Sequence, residues 1–119
     1  MRLLFVCVGN TCRSQMAEAL AKDLGHKAMS AGTNPGGNVA EKSLEVLGEL
    51  GIDASAQYPK SVDSIDATGF DRIISMGCGV ECPILPIDED WGLDDPYGMG
   101  IEVYRKTRDR IIGRLAGLS

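Results

Sequence analysis

The sequence predicts an α/β fold, a doubly wound four-stranded parallel sheet with helices on both faces in three layers. Three observations carry this. Short apolar runs of strand length alternate with stretches whose apolar residues recur at helical spacing. The first apolar run ends in a cysteine and a small polar loop before helix formers begin, and ligands in such sheets sit at these C-terminal strand ends. The 119 residues suffice for one core but not two, so a single domain over residues 1–119 is expected.

Element by element, the first strand is Arg2–Cys7. Ser14 is the expected cap of the first helix, in which Met16, Leu20 and Leu24 recur every fourth residue and which Gly25 stops. Residues 27–31 read as a second strand, and Asn34-Pro35-Gly36-Gly37 as a loop. A second helix is expected over 39–50, with Leu44, Leu47 and Leu50 on one face and Gly51 at its end. Residues 61–68 suggest a shorter helix, 70–76 a buried strand, and 84–87 a further strand between two prolines. The last helix, 100–118, turns Ile101, Tyr104, Ile111, Leu115 and Leu118 inward. Repeats, low-complexity tracts and linkers are not seen.

The most informative stretch is Cys7-Val8-Gly9-Asn10-Thr11-Cys12-Arg13-Ser14. Amides of such a loop and of the first helical turn converge on one point, where the helix dipole also favours negative charge. Val8, Gly9, Asn10, Thr11, Cys12, Arg13 and Ser14 are therefore the candidate oxyanion-binding set. Arg13 can close the loop and hold two oxygens with its planar fork. Cys7 lies at the floor, where the positive field is expected to lower its pKa from about 8.5 into the roughly 3.5–7.5 range of activated thiols. A thiolate beneath a tetrahedral oxyanion is a nucleophile aimed at its central atom. The alternative is a buried, inert cysteine ending a core strand; the register of Gly9, Arg13, Ser14 and the helix start favours the nucleophile.

Composition narrows the partners. The net charge is −5 and no basic stripe is present, which argues against nucleic acid and anionic membrane surfaces as partners. Attraction of an anion must then be local. The apolar run at 3–6 is too short for a secretory signal, and nothing approaches transmembrane length, so a cytoplasmic location is expected. Cysteines stand at 7, 12, 78 and 82. With His26 they make no familiar zinc spacing, and no metal is expected. Redox chemistry accounts for them better. Cys78 and Cys82, four residues apart, can come within disulfide reach if their segment winds into a helical turn, although two structural thiols remain the alternative.

Cys-x5-Arg-Ser closing the first strand, Gln15-Met16-Ala17-Glu18-Ala19 after it and the later Asp94-Asp95-Pro96-Tyr97 closely resemble the low-molecular-weight tyrosine phosphatases and the arsenate reductases of the same fold. The resemblance spans essentially the whole chain and implies a low-molecular-weight phosphatase-like catalytic domain. It gives Ser14 a hydrogen bond to the Cys7 sulfur, and gives Asp95, just before the proline, the role of general acid. From the residues alone, an acidic turn explains Asp95 equally well.

Gly77-Cys78-Gly79-Val80-Glu81-Cys82-Pro83 looks like the loop of resolving cysteines in thioredoxin-coupled arsenate reductases. The implied function is reduction of arsenate to arsenite by attack of Cys7. A Cys7–Cys78–Cys82 disulfide relay, recycled by thioredoxin, follows. Phosphate and sulfate would compete, no cofactor is implied, and a monomer is expected. The alternative is a phosphatase for phosphotyrosine or small aryl phosphates working through a Cys7 phosphoenzyme, and a third reading is an oxyanion or redox sensor. Cys12 is either a protective disulfide partner for Cys7 or an incidental thiol. Some related reductases hold potassium through an asparagine, a glutamate, a serine and a later acidic residue. Asn10, Glu18 and Ser30 match three of these, but Lys60 stands at the fourth, so potassium is not expected. Gln57 likewise replaces a histidine common in the relatives.

Overall fold

The computed structural model describes residues 1–77 and 87–118. Its elements are β1 (Arg2–Cys7), α1 (Arg13–Asp23), β2 (Lys27–Gly32), α2 (Glu41–Gly48), two 3-10 turns (Val62–Ser64 and Ala67–Gly69), β3 (Arg72–Ser75), β4 (Glu89–Asp90) and α3 (Ile101–Ala116). The strands form one parallel sheet in the order β2-β1-β3-β4. The chain winds one way from β1 to β2 and the other way to β3 and β4. Winding therefore reverses at β1, and the crevice for a ligand opens at its C-terminal end.

Being central, β1 is apolar on both faces, and Leu3, Leu4, Phe5 and Val6 are fully buried. Leu3, Phe5 and Cys7 pack into one core with Met16 and Leu20 of α1, Val46 and Leu47 of α2, and Tyr104, Ile111 and Leu115 of α3. Leu4 and Val6 face the opposite side, with Ala31, Ile73 and Val62, and the partly buried Ile65 and Phe70 close that layer. Among the described residues, the three α-helices thus cover one face and the 3-10 segments the other. No helix among the described residues is long and apolar enough to cross a membrane.

Several expected elements are corrected. The short helix at 61–68 resolves into two 3-10 turns. Ser61 Oγ accepts from Asp63 N–H at 3.1 Å and Asp66 Oδ1 from Thr68 N–H at 3.0 Å, local bonds that compete with a continuous helix. The second helix is shorter than 39–50, and Leu50 is exposed, with Val46 inward instead. Gly51 lies beyond its end at φ +77°. Leu24 is likewise exposed, beyond the last turn of α1. The strand expected at 84–87 falls mostly, at 84–86, outside the described residues. Ile87 is not in a strand, and pairing with β3 begins at Ile74↔Glu89. Asp88 leads into that pairing: its N–H donates to Ile73 O and its carboxylate accepts Ile73 N–H, both at 2.8 Å. A polar two-residue edge strand carries no apolar run to betray it.

Candidate active site

The end of β1, the loop it feeds and the first turn of α1 surround a cleft of about 620 Å³. Cys7, Val8, Gly9, Asn10, Thr11, Cys12 and Arg13 line one wall, and Asp95 and Tyr97 reach it from the segment before α3. The chain can turn this tightly because Asn10 adopts a left-handed backbone at φ +52°, which asparagine tolerates better than most residues. Gly32, at the end of β2, lets the loop lie close: a Cβ there would stand 2.4 Å from Val8 O.

At the floor, Cys7 Sγ receives Asn10 N–H at 3.1 Å and lies 2.9 Å from Ser14 Oγ. Proton directions follow from the network. Lys60 N–H can only donate, so the Asn10 atom 3.0 Å from it is Oδ1, and Nδ2 then donates to Ser14 Oγ at 2.7 Å. The Ser14 hydroxyl, with one lone pair taken by Nδ2, keeps its proton to donate to the sulfur once Cys7 is a thiolate. Its role as a helix cap is therefore corrected: Cys12 holds the cap position with no side-chain bond, and the Ser14 hydroxyl serves the nucleophile.

The expected low thiol pKa is also corrected. Burial pushes the Cys7 thiol up, and this outweighs the downward pull of Ser14, Asn10 and the Arg13 charge. The resting group is a thiol set among donors that favour its thiolate.

Arg13 is buried at the head of α1. Its Nη1 donates to Leu93 O at 2.8 Å and to Met76 O at 3.2 Å, and Nη2 lies 3.7 Å from Asp95 Oδ2. With both Nη1 hydrogens committed, the donors that remain for an oxyanion are Nε–H and the Nη2 pair, still a planar fork. Asp95 Oδ1 accepts Tyr97 N–H at 3.0 Å, which fixes the turn that carries the acid.

The structure thus brings Cys7, Arg13, Ser14 and Asp95 together. Cys78 and Cys82 lie outside the described residues. Cys12 is buried, unbridged, and 3.4 Å from Tyr104 Oη; burial and this sulfur push the tyrosine hydroxyl up, so it stays protonated. No cluster of acidic, cysteine and histidine side chains suited to a metal occurs among the described residues. The residues matching a potassium site do not fit that ion either. Lys60 Nζ stands 3.6 Å from Glu18 Oε1, beside Ser30, and brings a cation of its own.

Sequence reasoning missed the carbonyls of Met76 and Leu93 that hold Arg13. Backbone acceptors leave no residue signature, but Gly77 and Gly92 were a signal. Gly77 sits at φ +89°, and a Cβ there would lie 2.5 Å from Gly92 Cα. That glycine permits a close backbone crossing beside the arginine.

A buried cysteine at a strand end, an arginine at the following helix and an aspartate over the cleft, on this sheet order, define a phosphatase-type oxyanion enzyme. The chain belongs to the low molecular weight phosphotyrosine protein phosphatase family, whose sequence profile matches residues 2–119. Among its relatives, a "Glutaredoxin arsenate reductase" of Synechocystis sp. is 38% identical, covering 98% of this chain and 95% of that protein. An "Arsenate reductase" of Staphylococcus aureus is 35% identical over 92% of this chain and 88% of its own length. The solved structure of "an arsenate reductase in the phosphate binding state" superposes with a TM-score of 0.89 at 37% identity, covering 98% of this chain and 94% of that one.

Proposed function

We propose that this protein is an arsenate reductase, acting in the cytoplasm as a single catalytic domain. The observation that carries the reading is the Arg13 guanidinium, which faces the cleft floored by Cys7 and is bonded to Met76 O, two residues before Cys78. An oxyanion site and the chain leading to a second thiol thereby share one anchor. The relatives called arsenate reductases, matched over nearly the whole chain, support the same reading.

Arsenate, or phosphate and sulfate as competitors, is held by the loop amides of residues 8–14 and the Arg13 fork. Cys7 attacks arsenic: the S–As bond forms as an As–O bond breaks. The thiol proton and the hydroxyl leave together as water, with Asp95 passing the proton to the departing oxygen. Sulfur attacks as the thiolate, so the Cys7 proton leaves as the S–As bond forms. Cys78 then attacks the Cys7 sulfur. The S–As electron pair goes to arsenic, which leaves as arsenite with the Cys78 proton, and a Cys7–Cys78 disulfide remains. Attack by Cys82 forms Cys78–Cys82 and returns Cys7 as a thiol. A dithiol protein, thioredoxin, supplies two electrons by exchange.

The test follows NADPH oxidation with arsenate, thioredoxin and thioredoxin reductase, beside a glutaredoxin–glutathione arm, in wild type and in Cys7→Ser, Cys78→Ser and Cys82→Ser. Turnover with thioredoxin, lost in all three variants, supports the relay. Turnover with glutaredoxin alone changes the reductant. Aryl phosphate hydrolysis that needs only Cys7, without arsenate turnover, replaces the reading with a phosphatase.

A further inference from the structure

Glu18 is a carboxylate on the buried face of α1, only 4% exposed. Burying a charge is costly unless it is paired and hydrogen-bonded. Ser30 Oγ donates to its Oε1 at 2.7 Å, and Lys22 Nζ bonds Oε2 at 2.7 Å from a half-exposed position. The inner cation is Lys60. Its Nζ lies 3.6 Å from Oε1, donates to Tyr58 O at 3.2 Å and stands 4.9 Å from the centre of the Tyr58 ring. That cage leaves its side chain 13% exposed. The backbone N–H of the same residue donates to Asn10 Oδ1, and its carbonyl accepts Gly32 N–H at 2.8 Å. One residue therefore shares with Lys22 the neutralising of the buried carboxylate, on its inner side, and orients the amide that holds Ser14 beside Cys7.

We propose that Lys60 is a positioning residue for Cys7: its ammonium is the built-in counter-cation of Glu18, and this pins the backbone N–H that locks Asn10. The consequence is a nucleophile whose setting needs no monovalent cation from solution. Without the ammonium, Lys22 would still pair Oε2, but the inner oxygen Oε1 would draw in either water or a soluble cation, and the 58–60 segment would lose its inner tether. Asn10 could then turn its amide, and Ser14 would lose the partner that holds its hydroxyl beside the sulfur. The inference rests on Cys7 as nucleophile but not on the identity of the oxyanion, so it can stand or fall apart from arsenate reduction.

The experiment measures iodoacetamide labelling of the Cys7 peptide by mass spectrometry, alongside kcat and KM for arsenate. Wild type, Lys60→Arg and Lys60→Met are compared in potassium and in tetramethylammonium buffers of equal ionic strength. Wild type and Lys60→Arg are expected to label equally in both. Lys60→Met is expected to label about tenfold more slowly in tetramethylammonium, the size of one lost charge-assisted bond. Potassium should restore most of that loss, and kcat should fall more than KM rises. If Lys60→Met does not fold, Glu18→Gln with Lys60→Met removes both charges. That pair should fold, label more slowly than wild type and ignore potassium. Wild-type labelling by Lys60→Met or by the pair in tetramethylammonium, or a wild type that itself needs potassium, overturns the proposal. Labelling that shifts as described without arsenate turnover would refute the reductase alone.

Discussion

Ser14 links Asn10 to the nucleophile: the Asn10 amide donates to Ser14 Oγ at 2.7 Å, and the Cys7 sulfur lies 2.9 Å from the same oxygen, which donates to it when Cys7 is a thiolate. This bond matters more when Cys7 is ionised, since donors to a charged acceptor are worth about 1.5–3 kcal/mol. Burial holds the Cys7 pKa above its ordinary value, so the thiol predominates at neutral pH and alkylation of wild type should climb through the alkaline range. Ser14→Ala removes a donor to the thiolate and must raise the value further, with labelling at neutral pH falling about tenfold or more. A wild-type labelling midpoint near neutrality would sink this account. The same sign applies to folding: the stability linked to this proton is complete below the ordinary thiol value and is lost as pH rises through the folded one.

Asp95 is more than half exposed, yet its carboxylate faces Arg13 across 3.7 Å. Asp95→Asn keeps the shape and an oxygen for the Tyr97 N–H, but can neither give nor take the proton. Loss of general acid catalysis should lower kcat by about 10²- to 10⁴-fold. Binding should move the other way, because a negative charge beside an anion site is gone and Arg13 is freed for the ligand. Phosphate should therefore inhibit the variant at lower concentration than wild type. A weaker phosphate effect would place Asp95 in binding rather than in proton transfer.

What the sequence made legible was whatever local chemistry dictates. The Cys7 loop could be read because a strand, a left-handed Asn10 and a helix-opening Arg13 are all written within a few residues. The α3 face was legible because Tyr104, Ile111 and Leu115 recur at helical spacing and are buried together. The rest depends on partners distant in the chain. Nothing near Arg13 announces that Leu93 O lies 2.8 Å away, or near Asn10 that Lys60 N–H does the orienting. The Cys7 pKa was misjudged for a related reason: nearby donors can be counted in the sequence, whereas burial follows from the packing of three helices over β1.

Glu49 ties α2 to α3. Its carboxylate accepts from Arg105 Nη2 and Arg108 Nη1, each at 2.7 Å, and the Arg105 hydrogen bond is the main reason its pKa lies below the ordinary carboxylate value. A depressed carboxylate stabilises the fold fully above its unfolded value, about 4.3 for glutamate, and ceases to as pH falls through the lower folded value. Glu49→Gln should therefore melt slightly below wild type near neutrality. The gap should close in strong acid and shrink in high salt, because the pair is open to solvent. A difference in melting temperature indifferent to both would mean that packing, not charge, joins these helices.

Gly77 offers the sharpest test of how the site is braced. A Cβ at this position would sit 2.5 Å from Gly92 Cα and 2.6 Å from Leu93 N, backbone atoms that cannot swing aside, and φ is +89° besides. Gly77→Ala must push apart the crossing where Leu93 N–H bonds Met76 O at 3.0 Å, the two residues whose carbonyls hold Arg13. Overpacking together with a strained backbone should cost about 2–4 kcal/mol. The thermal midpoint should then fall by on the order of 10 °C. Activity should fall further than the folded fraction, because Arg13 and Asp95 both hang on this crossing. Gly113, inside α3, is the contrast, because a methyl added there would meet nothing within 4 Å. Gly113→Ala should raise stability by up to about 1 kcal/mol through helix propensity and leave turnover unchanged. Equal effects of the two alanines on calorimetry and on kcat would show that the Gly77 crossing does not brace the arginine.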